Sequence, residues 1–273
     1  MRPYIIAVFG ASAVFGAMPA AAQDATWTGP YVGGRLGYTQ QPKDKNEIIL
    51  FDNDLDGAFG DTVRTASGAN AFSTGFCGGR SSDPRATNCR DDDGTEWAVH
   101  AGYDMALGPL VVGIVGEYGR ADIADGVSAF STTPAVYTFN RRLRDTAAVR
   151  ARAGYAFGRT LVYGTGGLAY GKIQRSFTTS NTVNTFTSDG GKKDNYGYRV
   201  GGGVEHRFNG GFSLGVQYLY TSLKDEGFTV RASGANVPVS NPFILRNAAG
   251  TDFQRSGNRF TSSNVSVVAS FRF

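Results

Sequence analysis

The side chains able to do chemistry in this chain are few. The imidazoles are His100 and His206, and the thiols are Cys77 and Cys89, twelve positions apart. Two His and two Cys cannot build an all-cysteine zinc centre, although carboxylate ligands remain available. In an exported chain a bridge is the expected state of such a cysteine pair. In the chain-entropy account, closing that loop restricts the unfolded chain by about 3 kcal/mol. Asp52, Asp54 and Asp56 precede Gly57 and match the opening of a calcium loop. Its twelfth position is Val63 rather than a bidentate glutamate, with Asp61 close by. Calcium is thus a candidate ligand of Asp52, Asp54 and Asp56, set against a solvated acidic loop. Asp91-Asp92-Asp93 reads as a charged loop end. A fourth set consists of single charges embedded in apolar surroundings: Arg35, Asp104, Glu117, Arg150, Arg152, Arg199, Glu205 and Arg272.

Those isolated charges imply the elements that carry them. Helical spacing is nearly absent, and period-two alternation recurs instead. Over 264–273, Val265, Val267, Ala269, Phe271 and Phe273 share one face, opposite Asn264, Ser266, Val268, Ser270 and Arg272. The same alternation recurs at 30–39, 97–105, 110–120, 146–155, 161–172, 196–208 and 212–221. It sets Arg35, His100, Asp104, Glu117, Arg150, Arg152, Arg199, Glu205 and Gln217 on the polar face. Eight strands of about ten residues are expected. Tight turns are expected near 106–109, 157–160 and 209–211, and long loops at 40–95, 121–145, 173–195 and 222–259.

An even number of strands, joined by short turns at one end and long loops at the other, is the signature of an outer-membrane barrel. The amino terminus agrees. A short positive start at Arg2, an apolar run over 5–18, Pro19 and the small residues Ala20-Ala21-Ala22 predict a secretory signal peptide at 1–22. A single membrane anchor is the alternative, disfavoured by the shortness of the run. The net charge of +4 excludes a strongly basic nucleic-acid binder. No apolar run after residue 22 is long enough for a spanning helix.

Alternation does not by itself tell inside from outside. A lipocalin-like soluble barrel would turn its apolar side chains inward. Three features favour a membrane barrel. Tyr38, Tyr103, Tyr118, Tyr155, Tyr170, Tyr198, Tyr218, Tyr220 and Phe273 cluster near strand ends, as in an aromatic girdle. The charged face is rich in glycine, which suits a crowded interior. The chain is exported and ends on an aromatic residue. In a narrow eight-stranded barrel the inward charges would either pair into a plug or line a small ion-selective pore.

Several blocks resemble the small alphaproteobacterial outer-membrane β-barrel family (porin family, outer membrane protein β-barrel domain). They are Trp27-Thr28-Gly29-Pro30-Tyr31-Val32-Gly33-Gly34, Val149-Arg150-Ala151-Arg152-Ala153-Gly154-Tyr155, Tyr163-Gly164-Thr165-Gly166-Gly167-Leu168-Ala169-Tyr170-Gly171, Val200-Gly201-Gly202-Gly203-Val204-Glu205 and Tyr218-Leu219-Tyr220. The ending Ser270-Phe271-Arg272-Phe273 resembles the signal read by the barrel assembly machinery.

The resemblance implies an all-β, eight-stranded antiparallel up-and-down transmembrane barrel with both termini in the periplasm. It implies residence in the outer membrane among lipid and lipopolysaccharide, and a role in envelope integrity, surface exposure or limited solute passage. Gln217 stands where the family commonly carries a carboxylate, and the first loop is long with its own cysteine pair. The expected function is a non-enzymatic envelope barrel without a cofactor. A small porin is the alternative, and a lipid A-modifying enzyme is a third class. His206-Arg207-Phe208 lacks the serine that a deacylase-type set requires. No loop partner is named by the sequence.

Overall fold

The computed structural model describes residues 27–42, 46–85, 89–190, 192–234 and 237–273. The expected signal segment at 1–22 lies outside them. In chain order the strands are β1 (Gly29–Gln40), β2 (Ile49–Asp52), β3 (Gly75–Gly78), β4 (Gly94–Leu107), β5 (Leu110–Ser131), β6 (Ala135–Phe157) and β7 (Thr160–Thr179). They continue as β8 (Thr185–Ser188), β9 (Lys192–Arg207), β10 (Phe212–Lys224), β11 (Val230–Ser233), β12 (Thr251–Arg255) and β13 (Arg259–Arg272).

Eight of these form a ring of antiparallel neighbours. β1 pairs with β4, β4 with β5, and so on through β6, β7, β9, β10 and β13, which pairs back with β1. Closure leaves no unpaired edge in the wall, the condition for a sheet immersed in hydrocarbon. At one end the connections are short. Gly108, Gly158 and Gly210 turn them with φ of 63°, 61° and 76°, the left-handed backbone that side-chain-bearing residues resist.

The wall is inverted relative to a water-soluble protein. Leu36, Val99, Ile114, Val149, Val216 and Val267 are 53–63% exposed on its outer face. Arg35, Asp104, Glu117, Arg150, Arg199 and Glu205 are buried inside. A continuous exposed apolar belt of this size has one suitable solvent, lipid. The belt on β5 runs over 110–118. At ~3.3 Å rise and ~40° tilt it is roughly 23 Å tall, close to the apolar band of outer-membrane barrels. No helix among the described residues is long and apolar enough to span a membrane.

This inversion has a measurable consequence. Val216 faces outward mid-belt, beside Val204 and Val267. Val216→Arg is expected to destabilise the protein by roughly 2–4 kcal/mol in lipid vesicles, read from urea unfolding. A water-facing wall would absorb the same change with almost no effect.

The strands are longer than the alternation predicts. β5 and β6 have 22 and 23 residues, so the expected loop over 121–145 is mainly a tall hairpin beyond the apolar belt. Residues 123–131 are buried on both faces. β3 pairs with β5 at 127–130, and Ser128 donates to the Gly79 carbonyl at 2.9 Å and accepts from the Ser81 amide at 3.0 Å. Cys77 and Cys89 are disulfide-bonded, which ties this flap down.

The other long connections are also ordered. β2, β12, β11 and β8 make a second antiparallel sheet from three different connections. It packs on an aromatic core that includes Phe51, Phe72, Tyr137, Phe139, Phe243 and Phe253. The long-loop end is therefore a folded cap rather than a set of free loops.

Candidate functional site

The inward side chains of the barrel stack in layers from the short-turn end toward the cap. The first is apolar: Trp27, Val111, Leu161 and Tyr163. Trp27 Nε1 donates to the Gly158 carbonyl at 3.2 Å, which anchors the indole across the turn end.

Above it lies a charged layer. Arg152 Nε donates to Asp104 at 3.0 Å, and Arg152 Nη1 lies 3.1 Å from Glu205. Arg272 Nη2 reaches Asp104 at 2.6 Å, while its Nη1 donates to the carbonyls of Trp27 and Gly29. The Tyr31 ring takes Arg152 and Arg272 against it, at 4.9 and 4.8 Å from its centroid.

The next layer centres on Glu117. Arg35 approaches it at 3.2 Å and Arg150 at 2.8 Å, and Arg199 also pairs with it. Arg35 and Arg199 share Glu96 as well, at 2.6 and 3.1 Å. All eight lumen charges expected from the sequence thus fall into two adjacent layers, together with His100, whose Nε2 lies 3.0 Å from Ser270 Oγ. Gln217, in place of a carboxylate, donates to Tyr163 Oη at 3.0 Å.

Glu96 is a member the sequence reading passed over. It corrects the balance, because five arginines meet four carboxylates rather than three. It shares the parity of His100 and Asp104 and would have been found by extending that strand one residue below Trp97.

A fourth layer is apolar: Ile123, Leu143, Ile173, Leu223 and Phe260, all fully buried. Beyond it, at the base of the cap, Arg141 pairs with Asp125 and Asp225, Arg175 with Asp225, and Arg255 with Glu47 and Asp125. This second charged cluster was not anticipated. It joins barrel strands to the cap strand β12 and the connections on either side.

Glycine packing shows how tightly the lumen is filled. A Cβ on Gly113 would fall 2.0 Å from Asp104 Oδ1, and one on Gly33 2.6 Å from His100 Nε2. Among the described residues, the void between Tyr31, Arg35, His100, Glu117, Arg150 and Arg152 is about 20 Å³. That is room for about one water. Buried charges at this density are tolerated because each is paired and hydrogen-bonded.

The remaining predicted residues lie elsewhere. Asp52, Asp54 and Asp61 bring one carboxylate oxygen each within 4.8 Å of one another. Asp61 thus takes the place the sequence reading assigned to Asp56, which instead accepts from the Ala58 amide at 2.7 Å. Asp52 accepts from the amides of Leu55 and Gly57, Asp61 from that of Asn53, and Asp54 pairs with Arg246. These carboxylates shape the loop. His206 sits at the short-turn end, where its Nδ1 meets Thr160 Oγ1 at 2.9 Å. Phe271 and Phe273 project from the outer wall at that same end, 41% and 48% exposed.

One group at the flap is poised to titrate. Asp91 accepts from the Gly126 amide at 2.9 Å, and burial, reinforced by the Asp125 carboxylate, pushes its carboxyl up to about 6. The unfolded group titrates near 3.9. Between those values the folded state holds the extra proton, so this group's contribution to stability falls as pH rises from about 4 to about 6. Asp91→Asn keeps an oxygen acceptor and removes the charge. It is expected to unfold at higher urea than the parent at pH 7, with the gap shrinking toward pH 5. A gap of opposite sign, or one independent of pH, would contradict the assignment.

Residues 7–273 match the outer membrane protein beta-barrel domain family. The chain is 29% identical over 200 residues to the 31 kDa outer-membrane immunogenic proteins of Brucella melitensis biotype 1 and Brucella suis biovar 1, covering 72% of this chain and 72% of each relative. It is 31% identical over 130 residues to the 22 kDa outer membrane protein of Rhizobium leguminosarum bv. viciae, covering 48% of this chain and 53% of that one. Among solved structures, the outer membrane protein OprG from Pseudomonas aeruginosa aligns at a TM-score of 0.44 and 12% identity, over 90% of this chain and 97% of that one. An interior of paired charge, an apolar exterior and a family match over nearly the whole length agree: the chain belongs to the outer membrane protein beta-barrel domain family and is a protein of the outer membrane.

Proposed function

We propose that this protein is a non-enzymatic, non-conducting eight-stranded transmembrane barrel that stiffens the outer membrane and holds a folded cap at the cell surface. The observation that carries this reading is the stack of alternating apolar and charged layers across the lumen. A porin needs a continuous wet path, and the charges here are spent on one another. A lipid A-modifying enzyme needs a nucleophile and base open to the outer leaflet. Here His100 and Ser270 are sealed within the lumen, and His206 lies at the short-turn end.

In this reading the short turns face the periplasm. Phe271 and Phe273 are then placed where the barrel assembly machinery can read them during insertion. The cap faces outward, which suits a relationship to proteins named for their immunogenicity.

Two tests apply. An epitope inserted after Val239, which is 88% exposed, is expected to be bound by antibody on intact cells. Binding only after permeabilisation would reverse the orientation. A deletion strain is expected to lose resistance to detergent and to recover it with a variant whose cap is trimmed. Unchanged resistance in the deletion strain would refute the envelope role.

A further inference from the structure

We propose that a cleft on the outer wall, just above the tyrosine girdle, holds a phosphate group of an outer-leaflet glycolipid. The cleft encloses about 400 Å³ and is lined by Trp97, Arg120, Asp122, Arg144, Asp145 and Lys172, among others. It lies where the β5–β6 and β6–β7 registers both shift, between Arg120 and Ile123 and between Leu143 and Asp145. Such irregularities bend strands and re-aim side chains. Here the bend separates the membrane belt from the tall hairpin and opens a concavity at their junction.

The height of the cleft fits a lipid headgroup. Outward positions on β4 run from Val99 to Trp97 and Thr95, and on β5 from Tyr118 to Arg120 and Asp122. On β7 they run from Leu168 through Tyr170 to Lys172. In each case apolar residues give way to an aromatic and then to a polar or charged residue, the sequence expected on crossing from acyl chains into headgroups.

The charge fits phosphate. Asp122 is approached by both Arg142, at 2.8 Å, and Arg144, at 3.3 Å, while Asp145 is held by Arg120 at 3.1 Å. Lys172 makes no ion pair among the described residues, and its strand neighbour Asp194 accepts from Tyr170 Oη at 2.7 Å. Among the lining residues three cations, Arg120, Arg144 and Lys172, therefore face two carboxylates, Asp122 and Asp145. Side-chain exposures of 65% for Arg120 and 44% for Arg144 leave guanidinium donors free for a bidentate anion. Trp97, 46% exposed, offers a flat apolar edge for the first part of an acyl chain.

The assignment rests on the reading that the cap end faces the outer leaflet, but its test does not. Purified protein in detergent micelles would be examined by native mass spectrometry with bis-phosphorylated lipid A, with the same lipid after phosphatase treatment, and with inorganic phosphate. The intact lipid is expected to be retained at least tenfold more than the dephosphorylated one. The double variant Arg120→Gln/Lys172→Gln is expected to lose that preference. A charge-matched double variant on the far side of the rim, Lys224→Gln/Arg259→Gln, is expected to keep it. Equal retention of both lipids, equal loss in both double variants, or binding of free phosphate as strong as that of the lipid would overturn the proposal. A wrong orientation would appear in the whole-cell antibody test and leave the micelle result unchanged.

Discussion

Replacing Glu117 with alanine is expected to lower the unfolding free energy by about 3–5 kcal/mol, the range for removing one partner of a buried charge cluster. Glu117 accepts from Arg35, Arg150 and Arg199, and among the described residues no other carboxylate pairs with Arg150. Without it, three guanidinium groups face one another with Glu96 alone between Arg35 and Arg199. Glu117→Gln keeps the volume and removes the charge, and is expected to cost nearly as much. The exposed Glu226→Gln should change stability by less than about 0.5 kcal/mol. Urea unfolding of refolded protein in lipid vesicles provides the readout. It can be followed by the fluorescence of Trp27 in the lumen floor and Trp97 on the outer wall. A Glu117 variant as stable as the parent would mean that the lumen charges are hydrated rather than paired.

Phe253→Ala is the second large effect, and it is expected in a different place. The Phe253 ring is fully buried and lies 4.9 Å from Phe51, 5.2 Å from Phe243 and 5.8 Å from Tyr137, at the junction of the cap sheet and the tall hairpin. Truncating a buried phenylalanine costs about 3–5 kcal/mol. The loss should fall on the cap, because the apolar layer of Leu143, Ile173, Leu223 and Phe260 separates it from the Glu117 layer. Proteolysis is expected to cut the cap connections at least tenfold faster in the variant while the barrel unfolds at the parent's urea midpoint. Unchanged proteolysis would mean that the cap core is not cooperative. A matching fall in barrel stability would mean that cap and barrel unfold together.

The barrel wall was legible because its chemistry has period two. Arg35, Glu117, Arg150, Arg152, Arg199 and Arg272 each sit alone between outward-facing neighbours, and the pleat carries every one of them inward. Direction was the ambiguous part. The deciding observation is three-dimensional, in the exposure of Val216 and Val267 beside the burial of Arg35 and Arg199.

The cap and its charge cluster were hidden for two physical reasons. On β6 the inward residues are Arg150, Ala148 and Thr146, then Leu143 and Arg141. Parity changes at 144–145, so a strict alternation ends the strand there and misses Arg141. On β5 the flap held by Cys77 and Cys89 covers the outer face, so 123–131 is buried on both sides and has no alternation to read. β2, β8, β11 and β12 are only four or five residues long and are paired by tertiary contact, below what local pattern can resolve.

Single-channel recording on the refolded protein, disulfide intact, in a planar lipid bilayer tests the closed lumen most directly. A lumen in which the void among Arg35, His100, Glu117 and Arg150 is about 20 Å³ should give a flat trace, without unitary current steps at either polarity. The Glu117→Ala variant should introduce at most irregular leakage. Reproducible unitary steps from the unaltered protein would contradict the account and make it a pore.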